Sequence, residues 1–325
     1  MLLKKKLILN EGYGSNNPLF STGIGSKILI KKKKYLDLSL CAGTLILGHN
    51  SDIFKKSIRE VSKKNISNLA STNQQAVDFS KTLKKILPKY SNFIFCNSGT
   101  DAVIKSLRIA RSISQNELII SVSGSWHGST NELLYTSDKN YNSVALSSGL
   151  DKDLIKKVKF IPYNNIEISK KILDKLKKKI MCIIIEPIQG CLPLDAKNYL
   201  KFLDEYCNKN NLILIFDEMI TGLRYKCSTV QDEFKLNPSI STFGKCLGGG
   251  MPIGIIGIKA NIAKKLNSSG KKVFFGGTFS GNSINMYVAN KTVKYLINNK
   301  KKIFHSLNKK SIFLQNSLNN FFGEN

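Results

Sequence analysis

One lysine in this chain of 325 residues stands where a reactive amine is usually placed. Lys245 follows the short β-like run 240–243 and comes just before three consecutive glycines, 248–250. Glycine lets a bulky group approach the backbone closely, because it has no Cβ atom. Burial lowers the pKa of a lysine and frees its amine as a nucleophile, so this setting is suited to Schiff-base chemistry. The alternative is a surface lysine that happens to precede a loop.

Asp217 makes the reactive interpretation the stronger one. It ends the apolar run 212–216, so its carboxylate and the Lys245 amine would lie at the ends of two strands. That pair fits a site for pyridoxal 5'-phosphate, in which the aspartate keeps the pyridine nitrogen protonated and the lysine holds the aldehyde. The sequence therefore predicts this cofactor, with Lys245 and Asp217 as the catalytic residues.

Two further segments are suited to a phosphate group. A strand-like run passes through Ser98, Gly99 and Thr100 into a helix, and the backbone N–H groups at a helix start bind phosphate. An ordinary helix N-cap has the same residue types and is the alternative. Thr278 lies in a second loop rich in glycine and hydroxyl groups, 276–282, for which a plain turn is the alternative.

Four more side chains follow apolar runs and are candidates for the same site. Trp126, the only tryptophan, could stack on a flat aromatic ring, although most tryptophans are core residues. His127 could stack or form a hydrogen bond there, and a structural role is its alternative. Glu186 and Gln189 follow the run 180–185, and the ends of such strands line the crevice of open α/β sheets. Gln189 would donate a hydrogen bond to a phenolate-like oxygen.

The elements that must position these residues form an alternation of short apolar runs and amphipathic helices. Predicted strands cover 93–96, 118–122, 159–161, 180–185 and 212–216, and predicted helices cover 52–64, 74–87, 166–178 and 196–208, with one more beginning at Thr100. This alternation indicates an α/β fold with a parallel sheet covered by helices on both faces. Before it, the β-like runs 27–30 and 35–40 predict a small hairpin. After it, residues from 286 onward carry apolar side chains at helical spacing.

The composition limits the class of protein. The formal net charge is +28, but arginines are few and the lysines are spread over separate elements, which disfavours a specific nucleic-acid site. The seven cysteines are odd in number and form no Cys-x-x-Cys motif, which indicates a reducing cytoplasm and no metal site. The N-terminal apolar run is too short for a signal peptide, and no stretch is long enough to span a membrane.

The order of these motifs closely resembles the class III pyridoxal-phosphate-dependent aminotransferase family, and within it the glutamate-1-semialdehyde 2,1-aminomutase-like branch. Three segments carry the resemblance most closely: Leu47–Asn50, Asp217–Arg224 and Phe243–Gly254. The resemblance extends from about Gly12 to the end of the chain. It implies a fold-type-I transferase with a mostly parallel seven-stranded sheet and helices on both faces, a small N-terminal segment and an incomplete C-terminal domain.

The resemblance also implies a role for each candidate residue. Lys245 would form the Schiff base and carry protons, Asp217 would pair with the ring nitrogen, and Met219 would pack under the ring. Trp126 would take the place of the stacking residue, and Thr278 would reach the phosphate in the neighbouring subunit of a homodimer. Gly99 and Thr100 would bind the phosphate, and the remaining cofactor-binding candidates are Ser98, His127, Glu186 and Gln189.

The resemblance divides the chain into three parts. These are an N-terminal segment with the hairpin (1–60), a large cofactor-binding domain (61–285) and the helical start of a truncated C-terminal domain (286–325). It predicts a cytoplasmic enzyme that acts on a small-molecule amino donor and acceptor, and that engages neither specific nucleic acid nor a membrane.

Three functions remain open at this point. A transaminase of the aminomutase-like branch is slightly favoured, because the segment 17–20 lacks the arginine of the aminomutase's substrate segment and 186–190 resembles ordinary transaminases. A true glutamate-1-semialdehyde 2,1-aminomutase of tetrapyrrole synthesis is the close alternative. A truncated, catalytically inactive protein of the same fold is the alternative of another class.

Overall fold

The structure is a computed structural model that describes residues 22–30, 32–68, 71–224, 226–268, 270 and 272–323. The strands, in chain order, are β1 (Thr22–Ile24), β2 (Lys27–Ile30), β3 (Lys33–Leu36), β4 (Asn92–Cys96), β5 (Leu118–Val122), β6 (Tyr135–Ser137), β7 (Ser143–Ala145), β8 (Val158–Ile161), β9 (Ile180–Ile185), β10 (Ile213–Asp217), β11 (Ile240–Gly244) and β12 (Gly254–Ile258). The helices are α1 (Asp52–Lys63), α2 (Gln74–Ile86), α3 (Gly99–Ile113), α4 (Ile166–Leu176), α5 (Lys197–Lys209), α6 (Val230–Glu233), α7 (Ala260–Ser268), α8 (Ser283–Asn298) and α9 (Lys300–Phe322). The predicted strands and helices of the central region agree with these bounds to within two residues, which is the usual scatter of element ends.

Seven of the strands form one sheet in the order β4-β12-β11-β10-β9-β5-β8. β12 is antiparallel to both of its neighbours, β4 and β11, whereas the neighbours from β11 to β8 pair in parallel. The predicted α/β fold with a mostly parallel seven-stranded sheet is confirmed. The exception follows from the connection between β11 and β12, because the segment 245–253 is too short for the crossover that parallel neighbours need.

β9 shows why these apolar runs become central strands. All of its residues are apolar and buried, as expected when helices cover both faces of a parallel sheet. Ile183 lies in one core cluster with Leu203 of α5, whereas Ile184 lies in another with Leu107 of α3. Burying each such side chain stabilises the fold by about 1.5–3 kcal/mol. The helices thereby hold the sheet rigid from both sides.

A third core cluster lies along β11 and β12, near the β4 edge of the sheet. It joins Phe79 and Leu83 of α2 to Phe243 of β11 and to Met286 and Val293 of α8. α8 therefore packs on the large sheet together with α2. The three-part division of the chain stays a prediction.

The N-terminal part is a three-stranded antiparallel sheet, β1-β2-β3, and not the predicted two-stranded hairpin. The second predicted strand, 35–40, begins earlier and ends at Leu36. It ends there because the Asp37 carboxylate accepts hydrogen bonds from the N–H groups of Ser39 and Leu40, at 2.9 and 3.0 Å, which turns the chain.

The remaining elements lie outside the large sheet. β6 and β7 pair antiparallel as a separate two-stranded sheet, which the sequence patterns did not predict. The predictions for 1–21, including that for the segment 17–20, lie outside the described residues. α9 has no buried residue among those described. None of the helices in the described ranges is long and apolar enough to cross a membrane.

Candidate active site

The two predicted catalytic residues meet at one edge of the large sheet. Asp217 is the last residue of β10, and Thr242 of the parallel neighbour β11 lies opposite it in register. β11 ends at Gly244, so Lys245 is the first residue beyond the same edge. Parallel strands deliver the residues at their carboxyl ends to one crevice, which places the amine and the carboxylate on the same side of the sheet.

The Asp217 carboxylate is buried and held through both oxygens. Its Oδ2 lies 2.8 Å from Nδ1 of His127, and its Oδ1 accepts hydrogen bonds from Oγ1 of Thr242 at 2.8 Å and from the N–H of Met219 at 3.2 Å. These contacts fix its orientation and offset the cost of burying a charge. Thr242 was not among the predicted site residues, because its place depends on the strand register.

His127 keeps one ring nitrogen free. Its Nδ1 faces Asp217, but its buried Nε2 has no hydrogen-bond partner among the described residues. Buried polar atoms are nearly always paired, so an unpartnered one indicates a place for a ligand or a water. The observed hydrogen bond of His127 is to Asp217, and a contact between His127 and a bound ring stays a prediction.

Lys245 combines a strained backbone with a free amine. Its φ is 44°, in the left-handed region, which costs a residue other than glycine about 1–2 kcal/mol. Burial lowers the pKa of the amine, while the carboxylates of Asp217 and Glu186 oppose that shift. Within the described ranges no ion pair or hydrogen bond engages this amine. Such an amine loses its proton more readily than a surface lysine does and is suited to act as a nucleophile.

Glu186 and Gln189 line the same edge, directly after β9. Burial raises the pKa of the Glu186 carboxyl, whose Oε2 accepts a hydrogen bond from the N–H of Trp126 at 2.8 Å. Nε2 of Gln189 donates to the Ser123 carbonyl at 2.8 Å and to Oγ of Ser125 at 3.1 Å. Both side chains thus hold the loop that carries Trp126. The predicted hydrogen bond from Gln189 to a ligand stays a prediction.

Trp126 is not a core residue. Its relative exposure is 55%, although its backbone is tied to the buried Glu186 carboxylate. A large aromatic ring left accessible on a fixed loop is available for stacking on a flat ligand.

The first predicted phosphate-binding segment forms the start of α3. Oγ of Ser98 caps the helix by accepting the N–H of Asp101 at 3.1 Å. The N–H groups of Gly99 and Thr100 have no acceptor among the described residues, as expected for the first turn of a helix. Oγ1 of Thr100 accepts the N–H of Ser129 at 3.3 Å. Two free N–H groups at a helix start are suited to bind an anion, and phosphate binding there stays a prediction.

The Met219 side chain lies between the start of α3 and Gly244, the residue before Lys245. A Cβ atom on Gly99 would come within 3.1 Å of the Met219 sulfur, and one on Gly244 would collide with the same atom. The two glycines therefore leave room for this side chain between the start of α3 and the end of β11. That position is compatible with the predicted packing under a ring.

Thr278 lines a different cleft from the other predicted site residues. It is exposed in the turn Gly277–Ser280, where the N–H of Ser280 donates to the Gly277 carbonyl at 2.9 Å. The open cleft that it lines, which includes Thr72 and Phe95, contains none of the other predicted site residues. Any contact between Thr278 and a cofactor phosphate stays a prediction.

Arg224 also shapes the crevice, although the sequence did not single it out. Its Nε donates to the Ile220 carbonyl at 3.2 Å, and its Nη2 donates to the Gly43 carbonyl. Its positive charge adds to the lowering of the Lys245 pKa. The available signal was its place in the loop that follows Asp217.

The chain matches known proteins over most of its length. A family model described as Aminotransferase class-III matches residues 25–322. A glutamate-1-semialdehyde 2,1-aminomutase of Wigglesworthia glossinidia brevipalpis is 36% identical over 296 residues, covering 89% of this chain and 67% of that protein. Another, of Archaeoglobus fulgidus, is 32% identical over 282 residues, covering 85% of this chain and 66% of that protein. The chain thus spans about two thirds of the length of these curated relatives.

A solved structure shares the fold. An omega-transaminase from Sphaerobacter thermophilus aligns with a TM-score of 0.81 at 22% sequence identity, covering 90% of this chain and 71% of that one.

Proposed function

This chain belongs to the aminotransferase class III family, and we propose on that basis that it moves an amino group with pyridoxal 5'-phosphate held by Lys245. The matches confirm the family resemblance seen in the sequence. The observation that carries the proposal is the pair of groups at the sheet edge. An unpaired amine of lowered pKa stands beside a buried carboxylate that His127 and Thr242 hold in place.

The crevice fits this cofactor. Asp217 would pair with the pyridine nitrogen, and the free N–H groups of Gly99 and Thr100 would bind the phosphate. The unpartnered Nε2 of His127 is a further polar atom that a bound molecule would satisfy. When bound, pyridoxal 5'-phosphate supplies an electron sink for the substrate carbon that bears the amine.

Lys245 has two tasks in this proposal. It would hold the cofactor aldehyde, and its Nζ, once released, would move a proton from and back to the substrate. The lowered pKa favours the neutral amine that this proton transfer requires. Hydrogen bonds to both oxygens hold the Asp217 carboxylate in a fixed orientation.

Two side chains would enclose the flat part of the cofactor. The exposed ring of Trp126 would stack on one face. Met219 would pack on the opposite face, since it already lies between Gly99 and Gly244. Their packing would orient the ring between the amine and the carboxylate.

Covalent labelling tests the proposal directly. The protein is mixed with pyridoxal 5'-phosphate, reduced with borohydride, digested and analysed by mass spectrometry. We expect the label on Lys245 and none on the Lys245→Ala protein. A label that stays on another lysine in Lys245→Ala, at the stoichiometry of the wild type, would contradict the assignment.

The curated relatives favour a second, narrower function, that of a glutamate-1-semialdehyde 2,1-aminomutase. A mutase needs only the semialdehyde, whereas a transaminase needs an amino donor and a separate carbonyl acceptor. The two are distinguished by incubating the protein with glutamate 1-semialdehyde alone, and separately with ω-amines and a keto acid. Turnover of the semialdehyde without a second substrate identifies the mutase. Turnover only when both an ω-amine and a keto acid are present identifies the transaminase.

We also propose that two copies form a homodimer in which Thr278 reaches the neighbouring site. The support is the exposed segment around Thr278, which carries Phe274 and Phe279, and these are 75% and 58% exposed. Large exposed apolar side chains in one loop are typical of an interaction surface.

Mixing two defective proteins, Lys245→Ala and Thr278→Trp, tests the shared site. Mixed dimers would contain one complete site only if Thr278 acts across the interface, so activity above that of either parent is expected. A mixture no more active than its parents contradicts the proposal.

The seven cysteines are all unpaired, and we propose a reducing, cytoplasmic location on that ground. We also propose that the net charge of +28 serves no specific nucleic-acid site. Any DNA binding should then be weak and fall steeply with salt concentration.

A further inference from the structure

A second lysine lies behind the phosphate end of the crevice, and its side chain is only 3% exposed. Lys105 is on α3, the helix whose first turn presents the free N–H groups of Gly99 and Thr100. Its Nζ donates to Oδ2 of Asp101 at 2.9 Å and to Oγ of Ser280 at 3.3 Å. Lysine is almost never fully buried unless its charge is paired. The pair with Asp101 explains how the charge is tolerated.

Asp101 is the reason that a positive charge is needed there. It lies in the first turn of α3, and its Oδ2 also accepts the N–H of Asn97 at 3.3 Å, which holds the carboxylate against the helix start. A carboxylate at a helix start stabilises the helix through the dipole. The same negative charge would repel a phosphate group bound at the adjacent N–H groups.

We propose that Lys105 is a positioning residue for phosphate binding: its buried ammonium offsets the Asp101 charge, so that the start of α3 can accept a phosphate dianion. This inference rests on the proposed function, because it takes the N–H groups of Gly99 and Thr100 as the phosphate site. The contact with Ser280 is a separate task, since it ties α3 to the turn that carries Thr278.

Affinity for a phosphate-bearing probe and for its phosphate-free analogue separates charge compensation from a structural role. Apo protein is titrated with pyridoxal 5'-phosphate and with pyridoxal, and its thermal midpoint is measured with and without inorganic phosphate. For Lys105→Met we expect about tenfold weaker binding of pyridoxal 5'-phosphate, a change of less than about twofold for pyridoxal, and loss of the stabilisation by inorganic phosphate. Equal binding of pyridoxal 5'-phosphate by the variant and the wild type overturns the inference.

Three further variants keep the result interpretable. The double variant Asp101→Asn with Lys105→Met removes both charges, so we expect its affinity for pyridoxal 5'-phosphate to return to within about threefold of the wild type. If the double variant stays as weak as Lys105→Met, Lys105 does not act by offsetting Asp101 and the inference is wrong. Ser280→Ala keeps the ion pair with Asp101, so its affinity for pyridoxal 5'-phosphate should equal that of the wild type. If Ser280→Ala loses as much affinity as Lys105→Met, the packing of the turn and not the charge of Lys105 supports binding, and the inference is wrong.

Lys170→Met is the matched control. Lys170 forms an i,i+4 ion pair with Asp174 on the surface of α4, at 2.8 Å, and should leave every affinity unchanged. A wild type that binds neither pyridoxal 5'-phosphate nor inorganic phosphate would instead contradict the proposed function itself.

Discussion

Lys245 and Lys105 lie at the two ends of one crevice, and their different surroundings suit the same type of side chain to different roles. Lys245 follows a strand with a left-handed backbone, and no ion pair or hydrogen bond in the described residues engages its amine. Lys105 lies inside a regular helix, almost fully buried, and is ion-paired with Asp101 at 2.9 Å. The first is placed to react and the second to compensate a charge. Whether the amine is ion-paired therefore distinguishes the two lysines better than how deeply each is buried.

Lys259 shows that a lowered pKa is not enough to identify a reactive lysine. Burial lowers the pKa of its amine to about 8, yet Nζ donates to the Asn237 carbonyl at 2.5 Å. It follows β12 at Ile258, away from the carboxyl ends of β10 and β11. A reactive lysine in this fold needs both a free amine and a place at that edge.

The largest effect should come from removing the reactive amine. Lys245→Ala is expected to lower the rate of amino transfer by at least about 10²-fold, because both the covalent attachment and the proton transfer depend on Nζ. Lys259→Ala, which removes an amine of lowered pKa elsewhere, should leave the rate within about twofold. Steady-state kinetics on the two purified proteins check this. A Lys259→Ala protein as defective as Lys245→Ala would show that burial, and not position, decides reactivity.

The next largest effect should separate two adjacent carboxylates. Asp217→Asn is expected to reduce the turnover rate by about 10²-fold, because the fixed negative charge is lost. The unfolding midpoint should change little, because the amide oxygen still accepts from Thr242 and Met219 while its N–H donates to Nδ1 of His127 in the other tautomer. Glu218→Gln should instead lower the stability and leave the turnover rate nearly unchanged. The buried Glu218 carboxylate accepts four hydrogen bonds from Thr221, Val230 and Gln231, so an amide there opposes donor to donor. Glu218→Gln should therefore lower the free energy of unfolding by about 1–3 kcal/mol.

Turnover per folded molecule and denaturant unfolding, measured on both variants, distinguish these outcomes. A stable Asp217→Asn protein with normal turnover would remove Asp217 from the catalytic residues.

A smaller effect should appear in the stability of the apo protein when the Lys105 ion pair is broken. Lys105→Met is expected to lower the free energy of unfolding by about 1–3 kcal/mol, because Asp101 keeps a partly buried charge without its partner. Lys170→Met, which breaks an exposed pair, should cost less than about 1 kcal/mol. Urea unfolding at one pH measures both. Equal losses for the two would mean that the Lys105 pair is no more than a surface interaction.

Much of this architecture could be predicted because apolar runs and the residues that end them are local features. The runs that form β9 and β10 are visible in the sequence as unbroken apolar segments, and Glu186, Gln189 and Asp217 stand at their ends. The glycines after Lys245 mark the place of the amine in the same way.

What could not be predicted depends on contacts between distant parts of the chain. Thr242 reaches Asp217 only through the register of β10 and β11. A lysine on a helix is normally solvated, so the burial of Lys105 needed the turn that carries Ser280 to be packed over it. The strand β1 and the pair β6–β7 are too short to show a clear alternation of apolar and polar residues.

The smallest predicted effect concerns the pH at which Lys245 becomes reactive, and it sharpens the contrast between free and paired amines. Because burial lowers its pKa, the rate of reductive methylation of Lys245 in the apo protein should reach half its plateau at a lower pH than that of surface lysines. The rate rises with pH, since only the neutral amine reacts. The measurement is the labelling rate of the Lys245 peptide, by mass spectrometry, across a pH series.

Two substitutions should move the pH profile of Lys245 labelling in opposite directions. This tests most strongly whether nearby charges set the pKa of the amine. The Glu186 carboxylate favours the charged amine, so Glu186→Gln should shift the profile to lower pH. The Arg224 guanidinium disfavours it, so Arg224→Gln should shift the profile to higher pH. Loss of crevice structure in either variant would expose the amine and move both profiles upward, toward an ordinary lysine. A downward shift for Glu186→Gln therefore cannot come from unfolding. If both profiles move the same way, the local charges do not set the reactivity of Lys245, and burial alone does.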